Sequence, residues 1–147
     1  MLDRLPARVS IVEVSPRDGL QNEAAPIDTD AKLRLVNALV ASGLERIELT
    51  SFVAPHWIPQ LADAEEVARR APRREGVVFS ALCPNSKGLE RAISVGLHEV
   101  AVFLSSSETH NKRNTNKSIK TSLETFAEVI EMALGERMRV RAYISPS

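Results

Sequence analysis

Val9-Ser-Ile-Val-Glu-Val-Ser-Pro-Arg-Asp-Gly-Leu-Gln-Asn-Glu23 is the stretch on which the reading of this chain turns. Alternation predicts a strand over 9–14, with Val9, Ile11 and Glu13 on its inward face and Val12 and Val14 packing outward. Pro16 has no N–H to donate, so ladder pairing stops and the chain leaves the sheet there. Arg17 and Asp18 stand at that exit, followed by Gly19 for a turn and then Gln21, Asn22 and Glu23. Polar side chains gathered at the carboxyl end of a buried strand are where parallel α/β proteins place their chemistry. An exposed polar turn is the plainer reading of an Arg-Asp pair taken alone.

Composition narrows what the rest can be. With 147 residues the chain can bury the core of one domain. Its 19 basic and 19 acidic residues balance to a net charge of +0, so no field for nucleic acid or a membrane surface is expected. The single cysteine, Cys83, excludes an internal disulfide and fits a reducing compartment. No apolar run approaches a membrane span, and Met1 to Arg8 is too short for a signal or transit peptide. The expectation is a soluble, cytoplasmic protein.

Downstream of the Arg-Asp loop, Asp28 offers a helix cap, and Leu33, Val36, Leu39 and Val40 form an apolar stripe that Gly43 can close. A strand over 46–50 puts Arg46 and Glu48 on one face. After a loop with His56 and Trp57, a second helix over 61–71 buries Leu61, Ala64, Val67 and Ala68. Strands follow at 77–82, 99–104 and 139–144, with a helix between the first two carrying Leu89, Ala92 and Ile93. Residues 105–117 read as a long polar loop, a length that usually serves function. Ser118 then caps a helix buried through Leu123, Phe126, Val129, Ile130 and Ala133.

The order is βαβαβαβαβ, and right-handed crossovers make such a sheet parallel with its βα loops on one side. Two architectures fit. A five-strand doubly wound sheet is complete at this length, but its first loop normally cradles phosphate, and no Gly-rich cradle is present. A (β/α)₈ TIM barrel is about 250 residues long, so this chain would supply its first four βα units plus strand five. Pattern alone does not choose.

The segment Val12-Glu-Val-Ser-Pro-Arg-Asp-Gly-Leu-Gln-Asn-Glu23 resembles the first strand and loop of the 3-hydroxy-3-methylglutaryl-CoA lyases, within the metal-dependent lyase and acyltransferase barrels. Ile47-Glu-Leu-Thr-Ser-Phe-Val53, with Pro55, Trp57 and Pro59-Gln60, resembles their second strand and loop. Pro84-Asn85 with Lys87-Gly88, and Ser107-Glu108 with Asn114 and Asn116, match later loops. Arg-Asp-Gly with a nearby Gln is shared with isopropylmalate and homocitrate synthases, whereas Leu20 and the 50–53 run are more lyase-like.

The resemblance implies that 1–147 is the amino-terminal portion of one TIM-barrel catalytic domain. It implies a divalent cation, Mg²⁺ or Mn²⁺, and retro-Claisen cleavage of a CoA thioester to acetyl-CoA and acetoacetate. By the same resemblance Asp18 is a metal ligand, Arg17 stabilises the enolate, Glu48 is the second-strand catalytic carboxylate, and Gln21, Ser51 and Asn114 lie near substrate. The family's other metal ligands, a His-X-His pair and an Asn, have no counterpart in the 147 residues, so the isolated chain is expected to be inactive. Alternatives are a synthase of the same superfamily and a non-catalytic remnant.

Physical chemistry agrees with those roles. An enolate needs positive charge at its oxygen, and Arg17 offers a permanently charged fork of donors. Hard cations take oxygen ligands, which Asp18 can give. Glu13 is expected to point into the barrel beside Glu48, as a second-tier group or as an ion pair with Arg17 or Arg46. Cys83 reads as a buried structural thiol. His56, His98 and His110 lack ligand spacing and read as surface residues, and Lys112, Arg113, Lys117 and Lys120 read equally as a contact for CoA phosphates or a solvated face. A half-barrel leaves open strand edges and an uncovered interior, with Val78 or Phe79 and Val100, Val102 and Leu104 facing inward. Homo-oligomers formed through those surfaces are therefore expected.

Overall fold

A computed structural model describes residues 6–146. The reading of Met1 to Arg8 as no leader falls largely on residues 1–5, outside the described residues, as does Ser147. Four strands, β1 (Arg46–Ser51), β2 (Val78–Leu82), β3 (Glu99–Ser105) and β4 (Arg139–Ser145), pair in parallel in the order β1-β2-β3-β4. Helices α1 (Thr29–Ala41), α2 (Ala64–Arg70), α3 (Ser86–Ser94), α4 (Glu108–Thr115) and α5 (Ile119–Gly135) connect them. A doubly wound sheet reverses its strand order part-way. The unbroken order here is that of a barrel wall, and the doubly wound alternative falls.

Strand alternation sorts the side chains into two populations. Ile47, Leu49, Phe79, Ala81, Val100 and Val102 are buried with Val36, Val67, Leu89 and Val129 of the helices in one apolar cluster. The inward rows carry Glu48, Ser80, Leu82, Glu99, Phe103, Arg141 and Tyr143. Of the expected pair Val78 or Phe79, Val78 shares the inward row with Ser80, while the expectation that Phe79, Val100, Val102 and Leu104 face the interior is corrected. They belong to the rows the helices cover, because those are the rows that bury apolar area.

The predicted strand over 9–14 is reduced to one bridge, Glu13 to Ile47, made by Glu13 N–H to the Arg46 carbonyl (2.9 Å) and Glu48 N–H to the Glu13 carbonyl (2.8 Å). Val9 and Ile11 are 78% and 67% exposed, so nothing apolar rewards extending the ladder. The predicted 61–71 helix is broken as well. Leu61 ends a separate 3₁₀ turn, Pro59–Leu61, and α2 begins at Ala64.

A further correction concerns 105–117, which is not a loop throughout. Ser107 accepts from the His110 N–H to cap α4, and Asn116 closes the helix in the left-handed region at φ 55°. The buried Asn111 anchors it, donating to Ser122 Oγ (2.8 Å) and the Lys117 carbonyl (3.0 Å) and accepting from the Ser105 N–H (3.3 Å). Ser122 consequently takes an inward place on α5, and Leu123, expected to be buried, is 53% exposed. At Gly88 on α3 a Cβ would lie 2.8 Å from the Phe52 carbonyl, so only glycine permits this approach of helix to strand end.

Candidate active site at the carboxyl ends of the strands

The chain leaves the Glu13 bridge through a single π-helical turn, Ser15–Gly19, in which the Asp18 N–H reaches the Val14 carbonyl at 2.7 Å. Pro16 sits at the start of that turn, where its missing N–H has no helical partner to lose. The turn aims Arg17 back under the strand ends, where it is buried, and leaves Asp18 toward solvent. Arg17 Nε donates to Glu48 Oε1 (2.7 Å) and Nη1 to Asp18 Oδ1 (2.6 Å).

Glu48 is fully buried in the middle of β1. Its second oxygen accepts from Arg141 Nη2 (2.6 Å) and the Tyr143 hydroxyl (2.9 Å). The register of β1 against β2 shifts between Glu48 and Thr50: Glu48 pairs with Ser80 and Ser51 with Leu82. Ser80 and Leu82 share a face, so this irregularity brings Glu48 and Ser51 inward together although they are three residues apart. Ser51 Oγ is buried without a hydrogen-bond partner among the described residues.

A cavity of about 360 Å³ opens here, at the end of the sheet where the strands finish. Arg17, Asp18, Gln21, Ser51, Asn114 and Thr115 supply its polar wall, and Leu82, Phe103 and Ile58 its apolar one. Five residues singled out by sequence thus meet at one place: Arg17, Asp18, Gln21, Ser51 and Asn114. Gln21 Nε2 lies 3.5 Å from Asp18 Oδ1, and Asn114 Nδ2 lies 3.2 Å from His110 Nε2. Glu48 stands behind Arg17 rather than on the cavity wall.

Glu13 is the exception. It pairs with neither Arg17 nor Arg46; its carboxylate accepts from the Ser15 N–H at 2.7 Å, and that bond holds its pKa below the ordinary carboxylate value. Arg46 instead pairs with Glu99, which also meets Arg139 at 3.5 Å, at the opposite end of the strands. Cys83 is buried as expected, and burial pushes its thiol up to about 12. His98 lies exposed just before β3, away from the cavity.

Sequence reading missed Arg141 and Tyr143. Their signal was available: two polar residues spaced by two, and so on one face, of the strand predicted over 139–144. Burial raises the Tyr143 pKa, and the charge of Glu48 raises it further.

Among the described residues no group of three His, Cys, Asp or Glu side chains is placed to hold a metal ion. Asp18, its side chain 53% exposed, is the one carboxylate among the described residues on the cavity wall. No helix of the described residues is long and apolar enough to cross a membrane.

The HMGL-like family model matches residues 8–145. A Pseudomonas aeruginosa protein named 3-hydroxy-3-isohexenylglutaryl-CoA/hydroxymethylglutaryl-CoA lyase is 52% identical over 141 residues, covering 96% of this chain and 47% of its own. The crystal structure of the Bacillus subtilis HMG-CoA lyase superposes with a TM-score of 0.91 at 48% identity, covering 95% of this chain and 47% of that one. An Acinetobacter baumannii HMG-CoA lyase structure, in complex with coenzyme A and 3-methylmalate, matches with a TM-score of 0.87 at 38% identity, covering 92% and 44%. The chain therefore spans about half the length of the relatives it matches.

Proposed function

The chain belongs to the HMGL-like family, and on that premise we propose that it forms the amino-terminal half of a (β/α)₈-barrel carbon–carbon lyase acting on 3-hydroxy-3-methylglutaryl-CoA. The observation that carries this reading is the convergence of Arg17, Asp18, Gln21, Ser51 and Asn114 on one cavity at the strand ends. Retro-Claisen cleavage breaks the C2–C3 bond of the substrate's acyl group. The pair of electrons remains on the acetyl-CoA fragment as an enolate, whose carbon then takes up a proton to give acetyl-CoA, while the tertiary hydroxyl gives up its proton to a base and becomes the ketone of acetoacetate.

Each wall residue has work in that sequence. Arg17, pinned at Nε and Nη1, has guanidinium N–H groups left over for the thioester oxygen on which enolate charge develops. The Ser51 hydroxyl and the Gln21 and Asn114 amides are neutral groups suited to orienting hydroxyl and carboxylate oxygens. Leu82, Phe103 and Ile58 exclude water from one side, which strengthens the charge interactions of the other.

Enzymes of the HMGL-like family generally depend on a divalent metal, and Mg²⁺ or Mn²⁺ suits Asp18. Such a cation supplies Lewis acidity toward the substrate oxygens when bound. Among the described residues no three His, Cys, Asp or Glu side chains gather to hold it, so the isolated chain is read as inactive. Balanced charge and a single buried thiol support a cytoplasmic setting.

A chimaera tests the proposal: residues 8–145 replace the matching half of the Pseudomonas aeruginosa relative. Acetoacetate release from the thioester, with Asp18→Asn lowering both activity and metal affinity severely, is the expected result. Condensation of acetyl-CoA with a 2-oxo acid would favour the synthase reading instead. An inert, folded chimaera would leave the non-catalytic one.

A further inference from the structure

The strand farthest in sequence from Arg17 holds that arginine through one intermediary. Arg141 and Tyr143 are two residues apart, so both side chains leave β4 on its inward face. Both donate to Glu48 Oε2, at 2.6 Å and 2.9 Å. The Arg141 guanidinium also lies 4.8 Å from the centre of the Tyr143 ring, so the two donors brace each other. Glu48 is planar and fully buried, and fixing Oε2 from one side fixes Oε1 on the other, where Arg17 Nε donates at 2.7 Å.

This arrangement gives Glu48 no face on the cavity. The cavity wall carries Arg17 and Asp18 instead. We infer that Arg141 and Tyr143 are positioning residues for Arg17, acting through Glu48, and that Glu48 orients the guanidinium rather than taking the substrate proton. The inference rests on the reading of Arg17 as the group that meets the enolate. A guanidinium held at one point swings about that point. Held at Nε by Glu48 and at Nη1 by Asp18, its plane is set, and a planar fork binds a developing oxyanion only in the right plane.

Two measurements separate the inference from the reading beneath it. The first uses the chain itself. In ¹H–¹⁵N spectra the Arg17 Nε–H resonance, identified by its loss in Arg17→Lys, is expected to move or broaden in both Tyr143→Phe and Arg141→Met. That of the exposed Arg34 should stay in place. An unmoved Arg17 resonance overturns the inference whatever the lyase activity.

The second uses the chimaera. Tyr143→Phe keeps the ring and its stacking but removes one bond, so kcat is expected to fall about tenfold with KM within about twofold, the split of a transition-state interaction. Arg141→Lys is expected to retain more kcat than Arg141→Met, because it keeps a donor near Oε2. A loss confined to KM, or no loss, overturns the inference. An unmutated chimaera without turnover, beside a responsive Arg17 resonance, overturns the lyase reading and leaves the Glu48 linkage to Arg17 standing.

Discussion

Ile47 and Glu48 are adjacent on β1, both are wholly buried, and they reach that state by opposite means. Ile47 points to the helices and is enclosed by apolar side chains. Glu48 points to the barrel interior and is enclosed by donors: two guanidiniums and a phenol. The outward face of the sheet is held by area, which any side chain of similar shape provides. The inward face is held by matched partners, and each partner is irreplaceable singly. A sheet can therefore be robust on one side and exacting on the other.

The largest loss should come from the outward side. Ile47→Ala is expected to cost about 3 kcal/mol of unfolding free energy, transfer plus cavity, read as a lowered urea midpoint at unchanged slope. A cost below about 1 kcal/mol would mean that the apolar cluster does not carry the fold. Gly88→Ala should follow at roughly 1–3 kcal/mol, because the new methyl meets the Phe52 carbonyl and α3 must retreat.

The inward face can be probed with Glu99, buried between Arg46 and the more exposed Arg139. Glu99→Met alone should destabilise by about 1–2 kcal/mol by stranding Arg46. With Arg46→Met added, stability should recover most of that loss, since paired buried charges are often replaceable together. A double variant worse than the single one would show that the pair itself stabilises the fold.

Cys83 gives the pH test. Burial raises its pKa from 9.0 to about 12, so between those values the unfolded thiol has lost a proton that the folded one keeps. Stability is then expected to fall as pH rises through this window, and Cys83→Ala should flatten the fall. An unchanged slope in that variant would assign the alkaline loss elsewhere. The smallest effect belongs to the exposed Ile144: Ile144→Ser should change stability by less than about 0.5 kcal/mol. A larger change that grows with protein concentration would place a second copy on the outer face of β4.

What the sequence disclosed follows the same division. Area-driven elements were legible: β1 to β4 and the amphipathic helices announce themselves through apolar period. The Arg17 loop was legible because Pro16 and Gly19 punctuate a dense run of polar residues. The helix α4 was not, since its one buried anchor, Asn111, is polar and periodicity reads apolar residues only. Leu123 misled for the same reason: the buried face of α5 runs through Ser122, held by Asn111, and on to Phe126, Val129 and Ala133, which turns Leu123 outward. Val9 and Ile11 alternate like a strand, but pairing reaches only Glu13. Glu48 was found on its strand, while Arg141 and Tyr143 were passed over because their partner lies about ninety residues away.

That separation sets an order of events during synthesis. Each strand pairs with the one made just before it, so every loop that must close is short and the sheet can grow as the chain leaves the ribosome. Glu48 finds Arg17 early, across 31 residues, but Arg141 only across 93, once β4 has been made. Until then its second oxygen must be served by water. The interior of the nascent sheet around Glu48 therefore stays wet until β4 docks, and that arrival replaces the water at its second oxygen with two protein donors.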